Sequence, residues 1–157
     1  ATTYFHRGYE IPMAAAAKES SFQTVVIGNG MEGTSLYGVH KTAKVFRATD
    51  GEELEEIKLD ATSVLPEKFG KEIEDSFLAL KGRISDVKTI VALGLSALED
   101  ASGPATAMIA WQAGSIGKLF GLFSDWEEGY VAAKDILASG RCMKSLTRFI
   151  DFAQSGS

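Results

Sequence analysis

The stretch VVIGNGMEG, Val25 to Gly33, decides how the chain is to be read, because its apolar run ends in Gly28, Gly30 and Gly33. That is the G-x-G-x-x-G spacing of a dinucleotide-binding loop, which works only when a helix follows at once and turns its N-terminus toward the pyrophosphate. The next residues, TSLYGVHKTAKVFRATDG (34–51), carry no helical stripe. Thr34, Val39, Thr42, Val45 and Phe46 are β-branched or aromatic and Gly38 interrupts them, so the segment reads as strand. No crossover helix is expected, and the glycines need another role. Positive φ at Gly30 or Gly33 in a turn supplies one.

Working outward, EIPMAAAAKES (10–20) places Pro12 in a first helical turn, follows it with four alanines and stops at two serines. It reads as a short helix feeding the strand TVVIG. After the glycine turn come the strand VHKTAKVFRAT, a hairpin-type turn at Asp50 and Gly51, and LEEIKLD with Leu54, Ile57 and Leu59 apolar. From Pro66 the period changes to helical. Breaks are expected at KGRIS, DASGP, FSDWEEG and ASGR, with Pro104 opening a helix after Gly103. From Asp86 to Leu98, one face carries Val87, Ile90, Val91, Leu95 and Leu98. In SDWEEGYVAAKDILASG, Ser124 is the expected N-cap, Glu127 the third helical residue and Gly140 the C′ residue. The fold class is therefore α/β or α+β: about three to five strands in the first 60 residues, then a helical second half, forming one domain over 1–157.

Composition bounds the function. The 157 residues hold 16 Lys and Arg against 21 Asp and Glu, a net charge of −5, which disfavours binding to nucleic acid or anionic membranes through phosphate neutralisation. Cys142 is the only cysteine, so no intramolecular disulfide forms and a reducing compartment is expected; with two histidines it cannot build a closed zinc site. The most apolar stretch, Ala105 to Phe123, contains Gln112, Lys118, Ser115 and three glycines, so no transmembrane segment is expected there, which leaves peripheral attachment to a membrane complex open. The chain starts at Ala1. That start suits Met removal, a cleaved targeting peptide or a piece of a longer chain, and both cytoplasm and an organelle such as the plastid stroma fit.

Taken in order, GYEIPMAAAAKESSFQTVVIGNGMEGTSLYG, TAKVFRATDGEELEEIKLD, PEKFG, ALEDASGPATAMIAWQAG and DWEEGYVAAKDILASG are collinear with a known pattern. The sequence resembles the C-terminal part of the anthranilate phosphoribosyltransferase and glycosyl transferase family. The resemblance implies a lobe of an enzyme that binds phosphoribosyl pyrophosphate with magnesium and transfers the sugar to an aromatic amine. The family's Gly-Thr-Gly-Gly-Asp and Lys-His-Gly-Asn segments do not occur in these residues. Its Asp-Glu pair falls on Glu32 and Gly33, ahead of Ser35, and one carboxylate cannot replace two beside a magnesium pyrophosphate. The resemblance thus leaves Gly28, Asn29, Gly30, Glu32 and Ser35 as a remnant ligand-binding turn, with no metal site, no catalytic residue and no cofactor expected.

Other residues admit two readings each. Glu32 is a residual metal ligand or a solvated carboxylate. His6 and His40 have no acid and nucleophile to work with, and Ser35 lacks a G-x-S-x-G elbow. Cys142 beside Arg141 at a helix start is an activated thiol or a packed one. Lys41, Lys44 and Arg47 form a basic patch or the solvent face of a strand. Trp111, Phe120, Phe123 and Trp126 are core, or an interface that faced a missing lobe.

Three functions follow. The favoured one is a non-catalytic relative of the phosphoribosyltransferase lobe, a structural or interaction subunit with other protein subunits as partners, with Trp111, Phe120, Phe123, Trp126, Lys41 and Lys44 as interface candidates. The second is a transferase fragment or split enzyme using magnesium and phosphoribosyl pyrophosphate. The third is a small anionic-ligand module built on the backbone N–H groups of GNGMEG.

Overall fold

The computed structural model describes residues 1–4, 8–20, 22–29, 42–49, 52–81 and 86–155. The expectations placed on His6, Gly30, Glu32, Gly33, Ser35, His40, Lys41 and the turn at Asp50 and Gly51 lie outside those residues.

The chain builds β1 (Thr2–Tyr4), α1 (Glu10–Glu19), β2 (Thr24–Asn29), β3 (Ala43–Thr49) and β4 (Glu55–Leu59). The helices α2 (Ala61–Val64), α3 (Glu67–Leu80), α4 (Val87–Asp100), α5 (Pro104–Leu119), α6 (Trp126–Ala138) and α7 (Arg141–Ser155) follow. The strands form one sheet in the order β1-β2-β3-β4. β1 runs parallel to β2 across the α1 connection, whereas β2, β3 and β4 are antiparallel neighbours. The class is α+β with a helical second half, as the change of period implies. The antiparallel pairing of β2 with β3 also removes the dinucleotide reading, because a βαβ unit makes its two strands parallel.

Strand alternation gives the sheet two faces. Ile27, Phe46 and Ala48 pack with Ala14 of α1 on one side. Val26, Ala43, Val45 and Leu59 point to the other and join Ile73 of α3, Trp111 of α5 and Tyr130 of α6 in one core. The sheet is thus covered by one alanine-rich helix on one face and by the helical layer on the other.

α5 is the centre of that layer. Ten of its sixteen residues are buried, among them Trp111, Gln112 and Ser115. A helix that is apolar or small all round is a buried helix, which explains why this stretch is nearly as apolar as a membrane span. α5 and α6 approach through glycine: a Cβ on Gly129 would lie 2.6 Å from the Gly114 carbonyl oxygen, so only two bare backbones fit.

The helix ends follow local chemistry, with one correction. Asp86 caps α4 by accepting the Thr89 N–H at 2.9 Å, Pro104 opens α5, and Gly140, at φ 68°, follows the Ser139 C-cap of α6. The N-cap of α6 is Asp125, not Ser124: its extended backbone lets the carboxylate accept the Glu128 N–H at 2.8 Å. Glu128 then returns to the Ser124 N–H and hydroxyl, each at 2.7 Å, so the box is built one residue later than the serine suggested.

Candidate functional site

Gly28 and Asn29 are ladder residues in the last turn-ward part of β2, not members of a loop. Gly28 is in register with Thr3 and Val45, and Asn29 with Tyr4. Gly28 thus sits inside both a parallel and an antiparallel pairing and Asn29 inside the parallel one.

The basic strand divides. Lys44 and Arg47 are three residues apart on β3 and so lie on opposite faces of the sheet. Lys44 pairs with Glu56 at 2.9 Å and Arg47 with Glu55 at 2.7 Å. Exposed cross-strand pairs of this kind pin the β3–β4 register and contribute little beyond that. A single patch containing both cations is not formed.

The aromatic candidates also divide. Trp111 is 1% exposed, at the centre of the core, with Trp126 tilted against it at 6.4 Å between centroids. Phe123 lies over Gly117, where its ring occupies the space a β-carbon would take. These three follow the packing reading, because the small residues of α5 leave room for them. Phe120, the C-cap of α5, remains exposed beside the more exposed Leu122.

A different apolar surface is open. α7 buries no residue, although Cys142, Met143, Leu146, Phe149, Ile150 and Ala153 recur at helical spacing along one stripe. Cys142 reaches the core at the start of the stripe, while Phe149 near its end is 67% exposed and Phe152, outside the stripe, is 77% exposed. The apolar face read on α4 is open as well at its first turns, with Val87 at 74% and Ile90 and Val91 about half exposed; Leu98 alone of that face packs against the main core. The spacing in RCMKSLTRFIDFAQS carried this signal and the sequence reading did not use it.

Between α3 and α6 lies a polar network. Tyr130, fully buried, donates its hydroxyl to Glu72 at 2.9 Å, and Lys134 reaches the other Glu72 oxygen at 2.6 Å. Phe69 meets Tyr130 edge-on at 5.1 Å. Burial raises the Tyr130 hydroxyl far above its ordinary range, and the hydrogen bond and charge of Glu72 push it the same way. Tyr130 is therefore a neutral, fixed donor that ties the central core to the α3 surface. At the junction of sheet and helices, Asp60 accepts from the Thr62 N–H and hydroxyl and from the Thr42 hydroxyl. These bonds, led by the Thr62 hydroxyl, hold its carboxyl below the usual value of 3.8.

Among the described residues no group of three or more His, Cys, Asp and Glu side chains is placed to hold a metal ion, and no helix is long and apolar enough to cross a membrane. Compared with models of known protein families the chain matches none, and no curated protein matches it.

Proposed function

We propose that this chain is a non-catalytic relative of the C-terminal lobe of the anthranilate phosphoribosyltransferases, acting as an interaction subunit of a larger protein assembly. The collinear segments from GYEIPMAAAAKES to DWEEGYVAAKDILASG support the ancestry, and the Glu32-Gly33 replacement supports the loss of metal-dependent transfer. The observation that carries the interaction role is α7: a fifteen-residue helix with a continuous apolar stripe and no buried residue. Exposed stripes of this kind mark surfaces that another protein covers.

The test is the native size of the chain in extract from its source, measured beside a Phe149→Glu, Phe152→Glu double variant. The wild-type chain is expected in a particle well above 16.8 kDa, and the variant as the free species. Recovery of the wild-type chain as a free monomer overturns the proposal.

A further inference from the structure

We infer that the protein covering α7 is a second copy of this chain, with the exposed halves of two α7 helices packed antiparallel about a two-fold axis. This rests on the reading of α7 as a surface that another protein covers, and it names that protein.

α7 meets the body with its first turns and leaves it with its last. Cys142, Met143 and Leu146 are half-buried, whereas every residue from Thr147 to Ser155 is exposed. α4, which touches α7, is built the same way: Leu98 reaches the core while Val87, Ile90 and Val91 lie open. The exposed parts of Phe149, Ile150, Phe152 and these three α4 side chains come to roughly 600 Å² per copy, against about 800 Å² per partner in a standard interface. Monomers rarely leave that much apolar surface uncovered, and the size fits a weak dimer.

The placement of charge selects the second copy. With Leu146, Phe149 and Ala153 along the centre of the stripe, helical geometry puts Ser145 and Phe152 on one border and Met143 and Ile150 on the other. None of these four border residues is charged. Arg141, Lys144, Arg148 and Asp151, which are all the charged residues of α7, stand on the side away from the stripe. Cations along the border would set like charges against each other in a contact between copies and would call for an acidic partner. An uncharged border lets two copies of a cationic helix meet.

Antiparallel packing also makes the exposed residues complementary to themselves, as an isologous contact requires. About an axis level with Asp151, Phe149 faces Ala153 of the second copy, a large side chain against a small one, and the reverse holds across the axis. On the two borders, Ile150 meets Ile150 and Phe152 meets Phe152 of the second copy. Phe152 is 77% exposed in the single chain, and this pairing covers it.

The experiment is sedimentation equilibrium of the purified full chain over about 1 to 200 μM, a range that brackets a dissociation constant on the order of 10 μM. A reversible dimer of the 16.8 kDa chain is expected, insensitive to salt because no charge lies in the contact. Ile150→Glu, which sets two carboxylates face to face, is expected to weaken it at least about thirtyfold, and Arg148→Glu, on the far side, by less than about twofold. In a Cys142→Ser background, Ile150→Cys is expected to form an intermolecular disulfide on mild oxidation, and Arg148→Cys is not. A chain that stays monomeric at every concentration overturns the second copy, whereas the reading of α7 as a protein-covered surface falls only when the chain is also free in extract. A dimer that Ile150→Glu leaves intact, or that Arg148→Glu or salt dissolves, overturns this contact. A monomer that co-sediments with phosphatidylserine vesicles overturns it too and gives the stripe to lipid.

Discussion

Two parts of the helical layer use apolar residues to opposite ends. In the α5–α6 pair, Trp111 and Tyr130 are buried, and the bare backbones of Gly114 and Gly129 approach so closely that neither glycine has room for a Cβ. In α4 and α7, Val87, Ile90, Phe149 and Ile150 repeat the same periodicity and remain exposed. The difference is not in the stripe but in what meets it. α5 lies between the sheet core and its neighbour helices, whereas α7 lies against α4 and α6 without burying a residue, and Cys142 at its start reaches the main core. An apolar helix face is stable inside because neighbouring elements arrive from every side; the same face at the rim is a surface for something outside the chain.

Breaking the packed side of this comparison has the largest effect. Trp111→Ala removes the largest fully buried side chain and is expected to cost about 4 kcal/mol, read as a lowered midpoint in urea unfolding. A loss below about 1 kcal/mol would mean that α5 is not the centre of the core.

The junction between sheet and helices should respond to acid. Because the folded-state pKa of Asp60 is lowered, its contribution is fully present above the unfolded value near 3.8 and is lost as the pH falls through the folded value. Asp60→Ala is expected to cost about 1 kcal/mol at neutral pH and to flatten the acid limb of stability against pH. An unchanged acid limb would show that the other depressed carboxylates, at the caps of α4 and α6, account for it.

The open side should respond least. Phe149→Ser with Phe152→Ser is expected to move the unfolding free energy of the isolated chain by less than about 0.5 kcal/mol, although it deletes two aromatic rings. A loss of 2 kcal/mol or more would mean that these rings pack within the chain in solution and would erase the contrast drawn above.

Much of this architecture was legible locally. The β-branched run after Gly33 excluded a crossover helix, and the antiparallel pairing of β2 with β3 agrees with it. Asp86, Pro104 and Gly140 mark real helix ends, because a cap depends on backbone groups only a few residues away. The start of α6 was misplaced by one residue, since Ser124 and Asp125 both have the chemistry of an N-cap and the backbone angles choose between them. The edge strand β1 left no readable pattern: its three residues are defined by pairing with β2, not by alternation of their own.

The functional surface was less legible. Trp111, Phe123 and Trp126 stood out as large aromatics, but composition cannot tell a residue that fills a glycine-lined space from one that seeks a partner. The α7 stripe was present in the spacing, yet it meant nothing until its surroundings were known.

The sequence by itself determined that a small sheet precedes a helical second half, that α1 feeds β2, and that helices end or begin at Pro104 and Gly140, all of which are set by interactions within a few residues. Only the tertiary structure decided which apolar faces are covered and that Lys44 and Arg47 each meet a glutamate of β4. Periodicity states that a face exists; what lies against it is set by residues distant in the chain.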